Sequence, residues 1–152
     1  MDKISNFIVL MLFLFGNSEN PASVLIQYRL IQFDRDIPEN GKLSRTLKNG
    51  KEIYRKFCLS CHQKDGSGVP NTYPPLIRST WVKGNKTKLI LVLLNGLEGE
   101  ITVNEDYYNG YMPKQNKLSD KKIASVLTFI RQSFNNASSV VSPKEVKALR
   151  GK

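Results

Sequence analysis

Cys58, Cys61 and His62 stand together in the pentapeptide Cys58-Leu59-Ser60-Cys61-His62. The spacing C-x-x-C-H is that of c-type haem attachment. Two thiols three positions apart lie on one turn of backbone, so each can form a thioether to a haem vinyl group. His62 is then held beneath the iron, where an imidazole nitrogen serves as proximal ligand. The chain has two cysteines and one histidine, and all of them lie in this motif. Of its three methionines, Met1 and Met11 fall in an apolar leader and Met112 remains. Without the leader, the chain offers iron one imidazole and one thioether, the set that a single-haem His/Met site uses.

Met112 sits in the polar, glycine- and tyrosine-rich stretch Tyr107-Tyr108-Asn109-Gly110-Tyr111-Met112-Pro113. Methionines are commonly core filler on apolar helix faces. A loop methionine fixed by a following proline is instead placed to point inward at a cofactor. Two other readings of the cysteines are weaker. A dithiol redox pair leaves His62 unexplained and lacks a βαβ setting. A structural zinc site needs four ligands, and no second cluster completes the set begun by Cys58, Cys61 and His62.

The elements that must hold these residues can be read outward from the motif. Thr46 to Phe57 reads as a helix, with Gly50, Ile53, Tyr54 and Phe57 on one face. It runs directly into Cys58. Gly50 costs a helix interior about 1 kcal/mol relative to alanine, which implies close approach of another helix. Gln63 to Leu76 is a loop, its glycines and prolines precluding a long helix or central strand. A ligating imidazole normally donates its second N–H to a carboxylate or carbonyl, and the carbonyl of Pro74 or Pro75 is available. Lys86 to Asn95 carries the apolar run Leu89–Leu94 and reads as a helix rather than a strand. Glu98 to Pro113 reads as loop. Ser119 to Phe134 is the clearest helix, N-capped by Ser119, with the stripe Ile123, Val126, Leu127, Ile130 and Phe134. Ser142-Pro143-Lys144-Glu145 is a capping-box start for a short C-terminal helix.

The organisation expected is a leader over 1–18, an N-terminal extension over 19–45, a haem domain over 46–136 and a tail with a short helix over 137–152. Phe7 to Phe15 is an unbroken apolar run, too short for a bilayer span of about 20 residues. It reads as an export signal, with an uncleaved membrane tether as the alternative. Val24, Ile26, Tyr28 and Leu30 alternate weakly, as in a strand. The chain of 152 residues carries a net charge of +10. That charge suits an acidic protein partner as well as a generally solvated surface, and no compact nucleic-acid module accompanies it.

The segment from about Gly50 to Phe134 resembles the class I c-type cytochromes. The shared order is a helix with Gly50 and Tyr54, the Cys58–His62 motif, Pro74-Pro75-Leu76, Met112-Pro113, and a helix carrying Leu127 and Phe129. The stretches Gly96–Ile101 and Tyr108–Pro113, and the ending Val141–Arg150, resemble small cytochromes that accompany bacterial periplasmic dehydrogenases and nitrite reductases. The resemblance implies an all-α class I cytochrome c fold wrapped around one covalent haem c and its iron. It implies that Gly50 lies against the last domain helix near Phe129, and that Pro74 supplies the carbonyl partner of His62. For Trp81 it leaves two roles open, an indole N–H donated to a haem propionate or packing alone. Phe129 stands where tyrosine is common, and Arg78 adds charge to a loop that is often small and neutral. Residues 20–45 have no counterpart in the family.

The function implied is single-electron transfer between exported or periplasmic redox partners, such as a dehydrogenase or a terminal reductase or oxidase. It involves no bond chemistry, because protein ligands fill both axial positions. Two alternatives stand beside it: a fixed electron-transfer subunit of an oxidoreductase complex, and a haem-based sensor or enzyme with an open distal site.

Overall fold

The computed structural model describes residues 39–151. The leader and the alternating Val24–Leu30 segment lie outside the described residues. In chain order the elements are α1 (Glu39–Phe57), α2 (Leu59–His62), α3 (Thr80–Lys83), α4 (Lys86–Asn95), β1 (Ile101–Val103), β2 (Asp106–Tyr108), α5 (Asp120–Gln132) and α6 (Pro143–Leu149).

Helix α1 is described from Glu39, so residues 39–45, ahead of the expected start at Thr46, are helical too. Asn40 and Gly41 look like turn residues, yet both lie within the helix. Thr46 is not a cap. Its hydroxyl donates to the Lys42 carbonyl one turn back, at 2.9 Å, a bond that satisfies a threonine inside a helix.

Helices α1 and α5 cross at Gly50. A Cβ placed there would collide with the Ser125 carbonyl oxygen and lie 2.6 Å from the Phe129 Cβ. The missing side chain is therefore what permits the crossing. Beside it, Tyr54, Phe129 and Phe134 form an aromatic trio with ring centroids 5.3–5.6 Å apart. Helix α5 behaves as its stripe requires: Ser119 caps it, and Ile123, Val126, Leu127 and Ile130 are buried. The helix ends at Gln132, two residues before Phe134.

Helix α4 packs Leu89, Ile90, Leu93 and Leu94 into the same core. Helix α6 has the expected capping box between Ser142 and Glu145, and buries Val146 completely. The stretch expected to be loop from Glu98 to Pro113 contains a short antiparallel hairpin instead, pairing Ile101 with Tyr108 and Val103 with Asp106. Asn104 and Glu105 turn it, both with positive φ (52° and 73°). Left-handed values at both central residues match the twist of a two-residue hairpin. Glutamate is an unusual occupant of that position, so the turn is not visible as an Asn-Gly signal.

Candidate haem site

Helix α1 passes straight into the motif. The Cys58 N–H donates to the Tyr54 carbonyl at 2.9 Å, and the His62 N–H to the Cys58 carbonyl at 2.9 Å. The single turn α2 thus keeps Cys58, Cys61 and His62 on one short arc of backbone. Gln63 then adopts φ 63° and ends it. The Tyr54 hydroxyl donates to the Gln63 carbonyl at 2.6 Å, tying the end of the motif to the core.

His62 is 9% exposed. Its Nδ1 lies 3.0 Å from the Pro74 carbonyl oxygen. A carbonyl only accepts, so Nδ1 carries the proton and Nε2 keeps its lone pair. Burial pushes the imidazole pKa below its ordinary value, and the Pro74 carbonyl opposes that shift. Gly68 makes the approach of Pro74 feasible. It sits at φ 69°, and a Cβ there would meet the Tyr73 carbonyl and come within 2.8 Å of the Pro74 carbonyl oxygen. As a sequence feature Gly68 marked only a loop; its closeness to the carbonyl facing His62 depends on contacts across the loop.

Cys58 and Cys61 are not joined by a disulfide. Burial, with the neighbouring Cys61 second, pushes the Cys58 thiol up to about 12. A dithiol redox pair works through a lowered thiol pKa, so this setting disfavours that alternative. Among the described residues no cluster of three or more His, Cys, Asp or Glu could hold a metal ion.

Met112 reaches the site from the other side. It exchanges backbone hydrogen bonds with Leu97, at 2.8 and 3.0 Å, and its half-buried side chain packs against the core. Cys58, Cys61, His62, Pro74, Trp81 and Met112 all line one predominantly apolar cleft, with Ile101, Val103 and Tyr108 of the hairpin closing another part of it. It encloses about 1360 Å³ of atom-free space, part of it continuous with solvent.

The Trp81 indole N–H donates to the Thr102 carbonyl at 2.9 Å. Trp81 also lines the cleft. The Lys88 ammonium sits 3.2 Å from the centroid of its ring, a cation–π contact.

Two buried polar residues that the sequence reading left out hold the surrounding loops. The Asn136 amide donates to the Leu76 carbonyl (2.8 Å) and the Ile130 carbonyl (3.0 Å), and its Oδ1 accepts from the Ser79 N–H (3.2 Å). Arg131, 3% exposed, donates to the carbonyls of Val82, Gly84 (3.1 Å) and Ser139 (2.7 Å). No local pattern in the sequence marks either role, since the carbonyls they bind are brought to them by folding.

Charge is uneven around the cleft. Between Lys88 and Lys114 the chain has no lysine or arginine, while Glu98, Glu100, Glu105 and Asp106 are all exposed there. The hairpin side is thus acidic within a strongly basic chain.

A mostly helical fold that presents a C-x-x-C-H arc and a loop methionine to one apolar cleft defines a haem-attachment protein. Comparison with known proteins gives the same class. A family model described as Cytochrome c matches residues 47–134. A cytochrome c-552 of Thermus thermophilus is 39% identical over 121 residues, covering 74% of this chain and 81% of that protein. A second Thermus thermophilus cytochrome c-552 is 40% identical over 113 residues, covering 68% and 86%. The cytochrome subunit of fructose dehydrogenase from Gluconobacter japonicus is 30% identical over 115 residues, covering 73% of this chain but 24% of the subunit. The chain belongs to the cytochrome c family, with the class I fold, covalent haem c and a role in electron transfer that membership carries. The paired thiols, the buried imidazole with one free nitrogen and the apolar cleft fit that cofactor.

Proposed function

We propose that the protein is a mono-haem electron carrier in which Cys58 and Cys61 hold the haem, His62 is the proximal ligand and Met112 the distal one. The observation that carries this reading is that His62 and Met112 open onto the same cleft, while the Pro74 carbonyl engages Nδ1 and leaves Nε2 for the iron. Haem iron supplies the one-electron couple, and Met/His ligation raises its potential. The chain's own residues orient the imidazole, bring a thioether to the opposite face and exclude water through the apolar lining. With both axial positions taken, the iron has no open site, so substrate chemistry is not its task.

In this reading the carrier works between exported redox proteins, after removal of the leader, with a dehydrogenase as partner. The kinship to the fructose dehydrogenase cytochrome subunit and to the cytochrome c subunit of Gluconobacter oxydans quinone alcohol dehydrogenase supports such a partner. The chain covers 81% of a cytochrome c-552 but 22–24% of those subunits. Among the described residues no helix is long and apolar enough to cross a membrane. Net charge steers docking to an acidic surface, so turnover with the partner falls as ionic strength rises.

Optical spectra of the holoprotein and of Met112→Ala test the ligation. The wild type should show the weak long-wavelength sulfur-to-ferric-iron band and resist carbon monoxide when reduced. Met112→Ala should lose the band and bind carbon monoxide. A wild type that lacks the band and binds carbon monoxide readily refutes Met112 ligation and brings the sensor or enzyme alternative forward.

A further inference from the structure

The segment matched by the family model stops at residue 134, yet the chain continues through α6 to a side chain that reaches back toward the site. Arg150 Nη1 donates to the Asn116 carbonyl at 2.7 Å, Nη2 to the Leu118 carbonyl at 2.8 Å, and Nε to Asp120 Oδ1 at 2.7 Å. One guanidinium thus gathers the end of the methionine-bearing loop and the first turn of α5. Leu118 is buried and lines the cleft.

The rest of that loop is held by backbone. Met112 is bridged to Leu97, and the Gln115 N–H donates to the Leu93 carbonyl at 2.7 Å. Beyond Gln115, the hydrogen bonds of Asn116 and Leu118 to a distant element, among the described residues, run through Arg150, while the Leu118 side chain packs in the core. A planar fork of donors suits two carbonyls and a carboxylate at once, and a lysine ammonium does not reproduce it. The helix delivering Arg150 is itself fixed. Val146 is fully buried, the Thr128 hydroxyl bonds the Val141 backbone, and Lys86 pairs with Glu145 at 2.5 Å.

We propose that Arg150 is a positioning residue for the distal ligand: it closes the 112–118 loop from outside the segment that the family model spans and so keeps Met112 on the iron. The inference rests on the Met112 ligation argued above. Helix α6 therefore serves the distal side of the haem in addition to covering the core.

The two anchors of α6 provide the test. Arg150 touches the loop, whereas Lys86 holds the other end of α6 and touches Glu145 and the Val140 carbonyl instead. Holoprotein variants Arg150→Ala, Arg150→Lys and Lys86→Ala are compared in three readouts: thermal loss of the sulfur-to-iron band, carbon monoxide binding to the reduced form, and global unfolding by circular dichroism. In Arg150→Ala the band should vanish at temperatures where helicity is intact, with carbon monoxide binding raised on the order of tenfold, the ratio that about 1.4 kcal/mol of lost hold produces. Arg150→Lys should fall between the alanine variant and wild type, and it carries the test if the alanine variant fails to assemble. Lys86→Ala should lose band and fold together, with no early carbon monoxide binding. If Arg150→Ala keeps its band up to global unfolding, or if Lys86→Ala uncouples band from fold equally, Arg150 is merely structural and the inference fails. A wild type without the band overturns the ligation reading and this one with it, whereas a normal wild type with an unaffected Arg150→Ala overturns this one alone.

Discussion

Gly50→Ala opposes two effects of similar size, and the geometry decides the sign. Alanine is favoured over glycine in a helix interior by about 1 kcal/mol, and on propensity alone the variant would be stabilised. The new methyl, however, would lie 2.6 Å from the Phe129 Cβ and overlap the Ser125 carbonyl oxygen. Carbon atoms pack at about 3.5–4.0 Å, so the helices must part by roughly 1 Å where they cross. Neither obstacle is the end of a flexible side chain, since one is backbone and the other a Cβ. Parting the helices also loosens Tyr54 from Phe129 and Phe134. Overpacking of this kind costs about 1–3 kcal/mol and sometimes more. With both contacts under 3 Å and neither obstacle able to swing away, the cost falls in the upper part of that range, about 2–3 kcal/mol. After the propensity gain, the net should be a destabilisation of about 1–2 kcal/mol, a fall in Tm of several degrees at about 4 °C per kcal/mol for a domain of this size. Urea unfolding of the holoprotein, with Lys51→Ala on the exposed side of α1 as the control, measures it. The control should stay within about 0.5 kcal/mol of wild type. A Gly50→Ala protein as stable as wild type, or more so, would refute the close crossing as the reason for glycine.

Three further outcomes follow from the loops. Gly68→Ala should push the Pro74 carbonyl away from His62 Nδ1; a histidine that loses this partner is a poorer donor, so the reduction potential should rise, as spectroelectrochemistry would register. Asn136→Ala strands the part-buried Leu76 carbonyl and the buried Ile130 carbonyl and Ser79 N–H, and should cost about 2–4 kcal/mol in urea unfolding; a loss below about 1 kcal/mol would mean that water or a local shift satisfies them. Glu145 is held at about 2, chiefly by the Lys86 side chain and then by the Ser142 backbone N–H. Because its folded pKa is depressed, its contribution is complete above the ordinary carboxylate range, near 4.5, and is lost as pH falls towards 2. The pair is partly exposed, so the contribution is below about 1 kcal/mol. Glu145→Gln preserves the capping geometry but not the ion pair, and its Tm should lie slightly below wild type at neutral pH and converge with it near pH 2.

What could be read in the sequence was whatever a short window of residues dictates. The C-x-x-C-H arc, the α5 stripe with its Ser119 cap, the Ser142 capping box and the apolar α4 run are all local patterns. Gly50 was legible for a further reason: a glycine inside an otherwise good helix needs a cause, and close helix approach supplies one. Residues 39–45 of α1 were missed because Asn40 and Gly41 have turn composition. The hairpin was missed because Asn104-Glu105 lacks the glycine that usually marks such turns. The hydrogen bond from the Trp81 indole to the Thr102 carbonyl, twenty-one residues away, has no local signature. Gly68, Arg131 and Asn136 acquire their roles only from carbonyls brought to them by folding.

The turn after α5 illustrates how such long-range demands override local preference. Phe134, Asn135 and Ala137 all have positive φ, at 55°, 59° and 47°. Asparagine tolerates that region, but phenylalanine and alanine each give up about 1–2 kcal/mol there. The distortion places the Phe134 ring against Tyr54 and Phe129, and against Gly66 of the haem-side loop. It also leaves the Phe134 carbonyl to accept from the Arg78 N–H at 3.0 Å, and it aims the Asn136 amide at Leu76. A relaxed, continuous helix through residue 137 could not make these contacts together. Non-local interactions thus hold one strained turn, and through it the end of α5 grips both α1, which carries the cysteines, and the loop that presents Pro74 to His62. Strain at 134–137 is accordingly tied to the orientation of the imidazole, although none of these residues touches it.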